Sequence, residues 1–158
     1  MNHDLKATPT RTNVIGFLKG QHKQIKGLFE RVLATHGADR TKAFSELKSL
    51  MLAHEAAEEE VVHPWAKSVL PGGVAEVAAR LDEENTAKRA LAILAALDVR
   101  SVEFETTFRA LQADVLAHAE SEETEELEKL AIVLDGRTLI EMRNGVERVE
   151  SDTLKQAT

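Results

Sequence analysis

Apolar side chains recur at alternating intervals of three and four residues along four long segments of the chain. The segments run from Ile15 to Val32, from Phe44 to Trp65, from Val74 to Ala95 and from Phe104 to Glu125. This spacing keeps one face of an α-helix apolar and is typical of helices that pack around a common core. The segments lack the sustained alternation of apolar and polar residues that favours strands. The pattern therefore predicts four helices and no sheet.

Glycine and proline, with 8 and 3 copies, fall mainly where the apolar pattern stops. The breaks lie at residues 36–39, 71–73, 98–101 and 135–136. Because short connections make successive helices antiparallel neighbours, the breaks predict an all-α fold, an up-down-up-down antiparallel four-helix bundle. A short amphipathic helix follows, which either caps the bundle or forms a dimer contact. We expect a flexible N-terminal tail at residues 1–12, the four-helix bundle at residues 13–134, and the C-terminal amphipathic helix with its tail at residues 135–158.

The composition narrows the class of protein. The 158 residues include 27 acidic and 20 basic ones, which gives a formal charge of −7, and no cysteine. The lack of cysteine excludes disulfides, thiolate catalysis, Fe–S clusters and cysteine-ligated zinc. An acidic chain is poorly suited to nucleic acid or anionic lipid, and no apolar run approaches the roughly 20 residues that span a bilayer. We therefore expect a cytoplasmic protein, a monomer or weak homodimer, that binds neither nucleic acid nor membrane.

Polar and charged residues interrupt the apolar face of each predicted helix near its middle. They are His22 in the first helix, His54 and Glu58 in the second, Glu84 and Lys88 in the third, and His118 and Glu122 in the fourth. A histidine and a glutamate four residues apart lie one turn apart on the same helical face. Each such pair therefore offers two ligand atoms to one point of the core.

Counting from the predicted turns gives these residues a similar depth in the bundle. His22 and His54 each lie 16 residues from position 38, the middle of the first connection. At about 1.5 Å per residue, both are roughly 24 Å from that turn. Glu58 and Glu84 lie 14 and 12 residues from the second connection, whereas His118 matches less tightly. All four helices are therefore expected to contribute to one polar layer.

A buried layer of this kind needs a counter-charge. An unpaired buried carboxylate costs several kcal/mol. Several of them would together exceed the stability of a typical fold, which is about 5–15 kcal/mol. Imidazole and carboxylate donors together suit iron, manganese or zinc, and three of each exceed the ligand set of one tetrahedral ion. We therefore predict two metal ions held by His22, His54, Glu58, Glu84, His118 and Glu122. The structural alternative is a metal-free layer of ion pairs through Lys88.

The order and spacing of these residues resemble the hemerythrin-like (HHE cation-binding) family. The resemblance covers roughly residues 13–130 and rests on His22, the two His-x-x-x-Glu steps and the stretch HEAAEEEVVHP at residues 54–64. It implies a four-helix bundle with two non-haem iron ions, joined by an oxo or hydroxo bridge. It also implies that the small-molecule partner is O₂, peroxide or nitric oxide.

The third predicted helix departs from the pattern of the oxygen-carrying members, which supply histidines there. This chain reads LDEENTAK at residues 81–88. Glu84 is the expected ligand because it shares the apolar face, and Glu83 and Asn85 are the less favoured alternatives. A glutamate in place of a histidine gives a harder, more anionic ligand shell that favours Fe(III) over Fe(II), which disfavours reversible O₂ carriage. For Lys88 the sequence leaves open a pairing with Glu84, a role in orienting it, proton donation to bound peroxide, and a purely structural salt bridge.

Other histidines and glutamates lie outside the predicted ligand set. On an ideal helix His63 is rotated by about 140° from Glu58, so we expect it beside the ligand shell or at the surface. His36 precedes a glycine at a helix end, where a histidine favours the C-terminal dipole. The glutamate-rich run 120–128 is expected to face solvent, with Glu123 as the alternative ligand if the fourth helix is shifted by one residue.

The leading interpretation is a di-iron protein that binds or reacts with O₂, peroxide or nitric oxide, or that senses iron or redox state. The sequence does not separate an enzyme from a sensor or a carrier. The alternatives are a metal-free structural or interaction bundle, and a ferroxidase or iron store. The iron store is less favoured because ferritin-like sites use Glu-x-x-His steps, whereas the steps here are His-x-x-x-Glu.

Overall fold

The computed structural model describes residues 12–156, which form helices joined by short turns, with no strand among them. The all-α prediction is therefore confirmed. The helices are α1 (Val14–Ala34), α2 (Gly37–Ala57), α3 (His63–Val69), α4 (Gly73–Ala95), α5 (Val102–Glu122), α6 (Glu128–Val133) and α7 (Gly136–Gln156). A π-helical segment, π1 (Glu58–Val62), joins α2 to α3, and a second, π2 (Glu123–Leu127), joins α5 to α6.

Local sequence signals explain where two of the long helices begin. The Asn13 side chain accepts hydrogen bonds from the backbone amides of Ile15 at 2.9 Å and Gly16 at 3.3 Å, and so caps α1. Ser101 caps α5 by accepting from the amide of Phe104 at 3.0 Å. Such caps stabilise a helix because they satisfy amides that have no partner within it.

The turn between α3 and α4 holds these two helices close together. Gly72 has a φ of +70°, a left-handed conformation that other residues rarely adopt. At Gly73, a Cβ atom would lie only 2.0 Å from the carbonyl oxygen of Ala66. The two glycines therefore allow the chain to reverse tightly at a break that the sequence predicts.

The buried core consists of two apolar clusters with a polar layer between them. The first cluster is centred on four phenylalanine rings whose contacting centroids lie 5.0–6.2 Å apart, namely Phe29, Phe44, Phe104 and Phe108. The second cluster includes Leu18, Val62 and Leu127. Along α1, His22 lies between Leu18 of the second cluster and Ile25 of the first. On the other long helical segments that reach the layer, the polar residues likewise lie between residues of the two clusters, so they form one layer.

The C-terminal helix α7 packs against α1, α2 and π1. Leu139, Met142 and Val146 on its inner face are buried in the second apolar cluster. Burial of such side chains stabilises a fold by about 1.5–3 kcal/mol each. The apolar face of α7 is therefore used inside the molecule.

Among the described residues, no helix combines the length and apolar character that crossing a membrane requires. The predicted N-terminal tail lies outside the described residues except for Thr12. The division of the chain into a tail, a bundle and a C-terminal segment stays a prediction.

Candidate metal centre

Seven ionisable side chains from four of the long helical segments meet in the polar layer. They are His22, His54, Glu58, His63, Glu84, His118 and Glu122. All but His118 are at most 8% exposed, and the His118 side chain is 12% exposed. Their helices bury apolar residues on both sides of the layer, so helix packing carries these polar groups into the core.

The layer contains two groups of side chains that share two carboxylates. The first group is His22, His54, Glu58 and Glu122, and the second group is Glu58, His63, Glu84 and Glu122. In each group, one nitrogen or oxygen atom per residue lies within 4.8 Å of the others. Because Glu58 and Glu122 belong to both groups, each can offer oxygen atoms to both sides. The two groups would therefore be able to hold two adjacent cations, with Glu58 and Glu122 facing both.

In the first group, two imidazole nitrogens face the shared carboxylates. His54 Nε2 lies 2.9 Å from Glu58 Oε2, and His22 Nε2 lies 3.2 Å from Glu122 Oε1. His22 Nε2 also lies 4.0 Å from Glu58 Oε2. The centroids of the two histidine rings are 5.0 Å apart. The two nitrogens therefore converge on the same carboxylates from α1 and α2.

In the second group, Glu84 lies between two imidazoles. Its Oε2 atom is 3.0 Å from His63 Nε2 and 3.5 Å from His118 Nε2. His118 Nε2 is also 3.8 Å from Glu122 Oε2. His118 therefore lies beside the second group and faces it with the same ring nitrogen as the other histidines.

Many of the facing atoms have no hydrogen-bond partner within the described part of the chain. This is true of Nε2 of His22, His54 and His118, of both carboxylate oxygens of Glu58 and Glu122, and of Oε1 of Glu84. Several lie close together but are poorly directed for hydrogen bonds, as expected of lone pairs that point at a common ion. Each buried polar atom without a partner costs about 1–3 kcal/mol. The donor set therefore fits a pair of metal ions.

Each histidine of the layer also has an oxygen partner on its outer side. The Nδ1 contacts are His22 to Glu123 at 2.7 Å, His54 to Gln21 at 2.7 Å, His63 to Glu126 at 2.6 Å and His118 to Glu83 at 2.7 Å. An ionised carboxylate only accepts, so it favours a proton on Nδ1 and leaves the Nε2 lone pair for a metal. These contacts orient the rings with Nε2 toward the shared carboxylates.

Without a cation, two of the three carboxylates of the layer, Glu58 and Glu84, bind protons more readily than usual. Burial alone would also raise the pKa of Glu122, but hydrogen bonds to Glu58 and His22 outweigh it and lower that pKa below its ordinary value. Burial and the neighbouring Glu122 carboxylate raise the pKa of Glu58 well above its ordinary value. Burial also raises the pKa of Glu84, to about 7. Neighbouring buried carboxylates cannot all ionise without a counter-charge. A metal ion would displace these protons and supply that charge.

His54 of the first group and His63 of the second group differ in their protonation. Burial lowers the pKa of His54 to about 3 because it desolvates the charged form. Burial acts in the same direction on His63, but hydrogen bonds to Glu126 and Glu84 outweigh it and raise the pKa to about 10. In the absence of metal, His54 is therefore a neutral donor, whereas His63 carries a proton that a cation would have to replace.

A cavity of about 230 Å³ opens beside the layer. The residues of the layer that line it are His22, His54, Glu84 and His118. Ile25, Met51, Ala87 and Val115 give much of the remaining wall an apolar character. Since a water molecule takes about 30 Å³ in the liquid, the cavity has room for small molecules next to the candidate centre.

Five of the six residues predicted as ligands lie in the two groups, and the sixth, His118, lies beside them. Their role in binding metal stays a prediction. On α4, Glu84 is buried, Glu83 is partly exposed and Asn85 is exposed. The helical count that prefers Glu84 over its two neighbours agrees with these orientations.

The sequence-based interpretation of His63 is wrong about its position. His63 is 2% exposed and lies in the second group. Its backbone amide donates to the carbonyl of Glu58, five residues earlier, because π1 replaces a regular α-helical turn. The wider turn brings His63 to the same face as Glu58. Pro64, which cannot donate a backbone hydrogen bond in a regular helix, is the one sequence signal of an irregular turn here.

The structure also gives positions to three other side chains that the sequence singles out, and corrects the expectation for Glu126. Glu126, expected in a solvated run, is fully buried and is the carboxylate that contacts His63 Nδ1. Lys88 donates to Glu59 at 2.9 Å, and this contact takes the place of a pairing with Glu84. Glu123, the alternative ligand, contacts the outer nitrogen of His22.

Comparisons with known proteins agree with this geometry. The sequence model of the Hemerythrin HHE cation binding domain matches residues 13–130. The crystal structure of a hemerythrin HHE cation binding domain-containing protein from Mycobacterium kansasii is similar in fold, with a TM-score of 0.77 and 19% sequence identity. The similarity covers 93% of this chain and 90% of that one. A search of curated proteins finds no match. The chain belongs to the hemerythrin HHE cation-binding domain family.

Proposed function

We propose that this protein binds two non-haem iron ions in the polar layer, joined by an oxo or hydroxo bridge, and uses them to bind or react with O₂, peroxide or nitric oxide. The observation that carries the proposal is that two groups of donors share Glu58 and Glu122. Shared carboxylates between two sets of nitrogen and oxygen donors suit two adjacent ions better than a single ion.

The donor types support iron. Calcium and magnesium prefer shells made only of oxygen, whereas imidazole mixed with carboxylate suits iron, manganese or zinc. A structural zinc ion is satisfied by four ligands, and the seven side chains of the layer exceed that number. Membership of a cation-binding family supports a bound metal of this kind.

The charge of the layer supports ions in a high oxidation state. Glu58, Glu84 and Glu122 contribute three carboxylates when they are ionised, and the imidazoles contribute no charge as metal ligands. Two ferric ions with one oxo bridge would leave about one net positive charge, which the outer carboxylates can balance. This chain has Glu84 where the oxygen-carrying members of the family have a histidine. The carboxylate makes the ligand set of the second group harder, which favours Fe(III). We therefore favour reaction with an oxidant over reversible O₂ carriage.

The cavity beside the layer supports a small-molecule partner. Its wall combines apolar side chains such as Met51 and Val115 with four residues of the layer. A small, uncharged molecule enters an apolar space with a low desolvation cost, whereas an ion does not. When bound, the iron pair would supply the electrons and Lewis acidity for such a partner. The chain itself contributes the orientation of the histidines and the exclusion of bulk water.

The iron content of the purified protein tests the proposal. We expect two iron atoms per chain and a near-ultraviolet absorption band that disappears on chemical reduction. The metal-loaded protein should melt at a higher temperature than the metal-free protein because ions bind only the folded state. His36→Ala, a change at an exposed residue, is the matched control and should alter neither result. Substoichiometric iron after careful loading, with an unchanged melting temperature, would overturn the proposal.

A further inference from the structure

A chain of three buried side chains links α7 to the candidate metal centre. His54 Nδ1 lies 2.7 Å from Gln21 Oε1, and Gln21 Nε2 donates to Glu150 Oε1 at 2.7 Å. Gln21, His54 and Glu150 are 6%, 4% and 8% exposed. Glu150 belongs to α7, which begins beyond the residues matched by the family model. A helix outside the matched domain therefore contacts one of the candidate ligands through a single intervening side chain.

The two contacts of Gln21 together decide which way its amide faces. An amide presents an acceptor oxygen on one side and a donor nitrogen on the other, and either could face His54. A carboxylate at Glu150 accepts a hydrogen bond, so it attracts the amide nitrogen and turns the amide oxygen toward His54. His54 then donates from Nδ1, and its Nε2 lone pair faces Glu58 at 2.9 Å. The reversed amide would favour a proton on Nε2, where it would block a metal ion.

His54 differs in this respect from the other three histidines of the layer. His22, His63 and His118 each contact a carboxylate directly through Nδ1. A carboxylate only accepts, so it needs no third residue to fix the tautomer of its histidine. The amide partner of His54 does need one, and Glu150 is in position to serve.

We propose that Glu150 is a positioning residue for the metal centre: through Gln21 it fixes the Nδ1–H tautomer of His54 and thereby prepares the first group for its ion. The effect of Glu150 on metal binding rests on the proposed function. Its effect on the tautomer of His54 is a property of the metal-free chain alone. The C-terminal helix α7 then contributes a residue that positions a candidate ligand, in addition to its apolar residues in the core.

The tautomer of His54 is the first test, measured by ¹⁵N NMR of the imidazoles in the full-length, metal-free protein. We expect the wild-type protein to show a protonated Nδ1 at His54, and Glu150→Leu to shift His54 toward the Nε2–H form or a mixture. Glu150→Gln can turn either an acceptor oxygen or a donor nitrogen toward Gln21, so it should give a mixture of the two His54 tautomers. Glu141→Ala on the same helix, at a side chain 67% exposed, is the control.

Metal titration is the second test and uses the same variants. Loss of an outer hydrogen-bond partner commonly lowers metal affinity by about 10-fold to 100-fold. We expect Glu150→Leu to weaken one of the two ions by about that factor and to leave the other nearly unchanged. In a Gln21→Leu background, Glu150→Leu should have little further effect, because both changes break the same link.

The results separate this inference from the proposed function. A protein that binds no iron but shows the expected tautomer change would overturn the function and keep the positioning role. An unchanged His54 tautomer in a folded Glu150→Leu protein would overturn the inference. Effects of Glu150→Leu and Gln21→Leu that simply add would also overturn it. Thermal unfolding of the metal-free variants checks folding. If Glu150→Leu does not fold, a wild-type His54 tautomer in Glu150→Gln, with no mixture, would overturn the inference.

Discussion

The two donor groups of the layer are built by different kinds of helical geometry. In the first group, His54 of α2 and Glu58, the first residue of π1, are one regular turn apart, and His22 comes from the apolar face of α1. In the second group, His63 reaches the layer only because π1 adds a residue to the turn after Glu58. Regular periodicity is therefore sufficient to locate the first group, whereas the second depends on a local departure from it.

The two groups also differ in their donors. The first group combines two imidazoles with the shared carboxylates, whereas the second combines His63 and a further carboxylate, Glu84, and has His118 beside it. Additional carboxylate makes a site harder and more suited to a highly charged ion. Of the two proposed iron ions, the one in the second group is therefore expected to favour the ferric state more and to bind more tightly. The ion in the first group is expected to exchange more readily.

The largest effect should come from a carboxylate that both groups share. Glu122→Ala removes oxygen donors from both sides of the layer, so we expect loss of both ions and a lower melting temperature after iron loading. Elemental analysis and thermal unfolding measure these quantities. Glu125→Ala, at a side chain 54% exposed on the same helical segment, is the control. Retention of both ions by Glu122→Ala would show that the groups do not share this residue.

Loss of His63 should distinguish the two groups. His63→Ala removes a donor of the second group only, so we expect about one iron per chain with the first group still loaded. His54→Ala should produce the opposite pattern, with the second group loaded. The two singly loaded proteins should differ in reduction potential because their donor sets differ. Full iron content in His63→Ala would mean that this histidine is not a ligand.

Glu84 and Glu83 provide a matched pair on α4. Glu84→Gln removes an anionic donor from the second group, and we expect about a 10-fold or greater loss of affinity for one ion. Glu83→Gln keeps an oxygen that can accept from His118 Nδ1, so its effect should be smaller. Isothermal titration of the metal-free variants compares the two affinities. A larger loss in Glu83→Gln than in Glu84→Gln would reverse the assignment on this helix.

The pH dependence of the metal-free protein should reflect the second group. The pKa of His63 is raised to about 10 in the fold from an ordinary value of 6.5. The folded chain therefore binds more protons than the unfolded chain between these values, and its free energy of unfolding should fall as pH rises from 7 to 9. One such proton corresponds to about 1.4 kcal/mol per pH unit, or about 3–6 °C in melting temperature.

His63→Ala should make this decline less steep, by about one proton, in thermal unfolding measured across the same pH range. Iron loading should also flatten it, since a cation replaces the proton. His54 contributes little between pH 7 and 9 because burial keeps it neutral there, with a pKa of about 3. Burial raises the pKa of Glu55 to about 9, so this residue adds to the decline and its share should remain in His63→Ala. A decline of the same slope in His63→Ala would assign the effect to another group.

The smallest effect should follow from deleting the exposed residue Glu60 within π1. Deletion turns the five-residue step from Glu58 to His63 into a four-residue step, which a regular α-helix spans on one face. We therefore expect the deletion variant to keep two iron atoms, with only a modest change in affinity. Deletion of a residue in the regular part of α2, such as Ser49, should instead displace His54 and disrupt the first group. Loss of His63 ligation on deletion of Glu60 would contradict this account of π1.

The sequence by itself is sufficient for the helical class and for much of the candidate site. The three–four spacing predicts an all-α chain because the period of an α-helix requires it. The same period puts His22, His54, Glu58, Glu84 and Glu122 on inward faces at similar depth, and the structure orients them accordingly. Such residues are predictable because the angle between neighbours on a regular helix depends only on their separation along the chain.

Only the tertiary structure decided the parts that depend on irregular turns and on contacts between distant segments. The orientation of His63 depends on π1, whose hydrogen bond from His63 to Glu58 has no clear signature in residue spacing. Glu126 is buried because His63, 63 residues earlier in the chain, provides its partner. Gln21 and Glu150 meet across 129 residues. Local periodicity carries no information about such pairings, because they arise only when the packed helices bring the two side chains together.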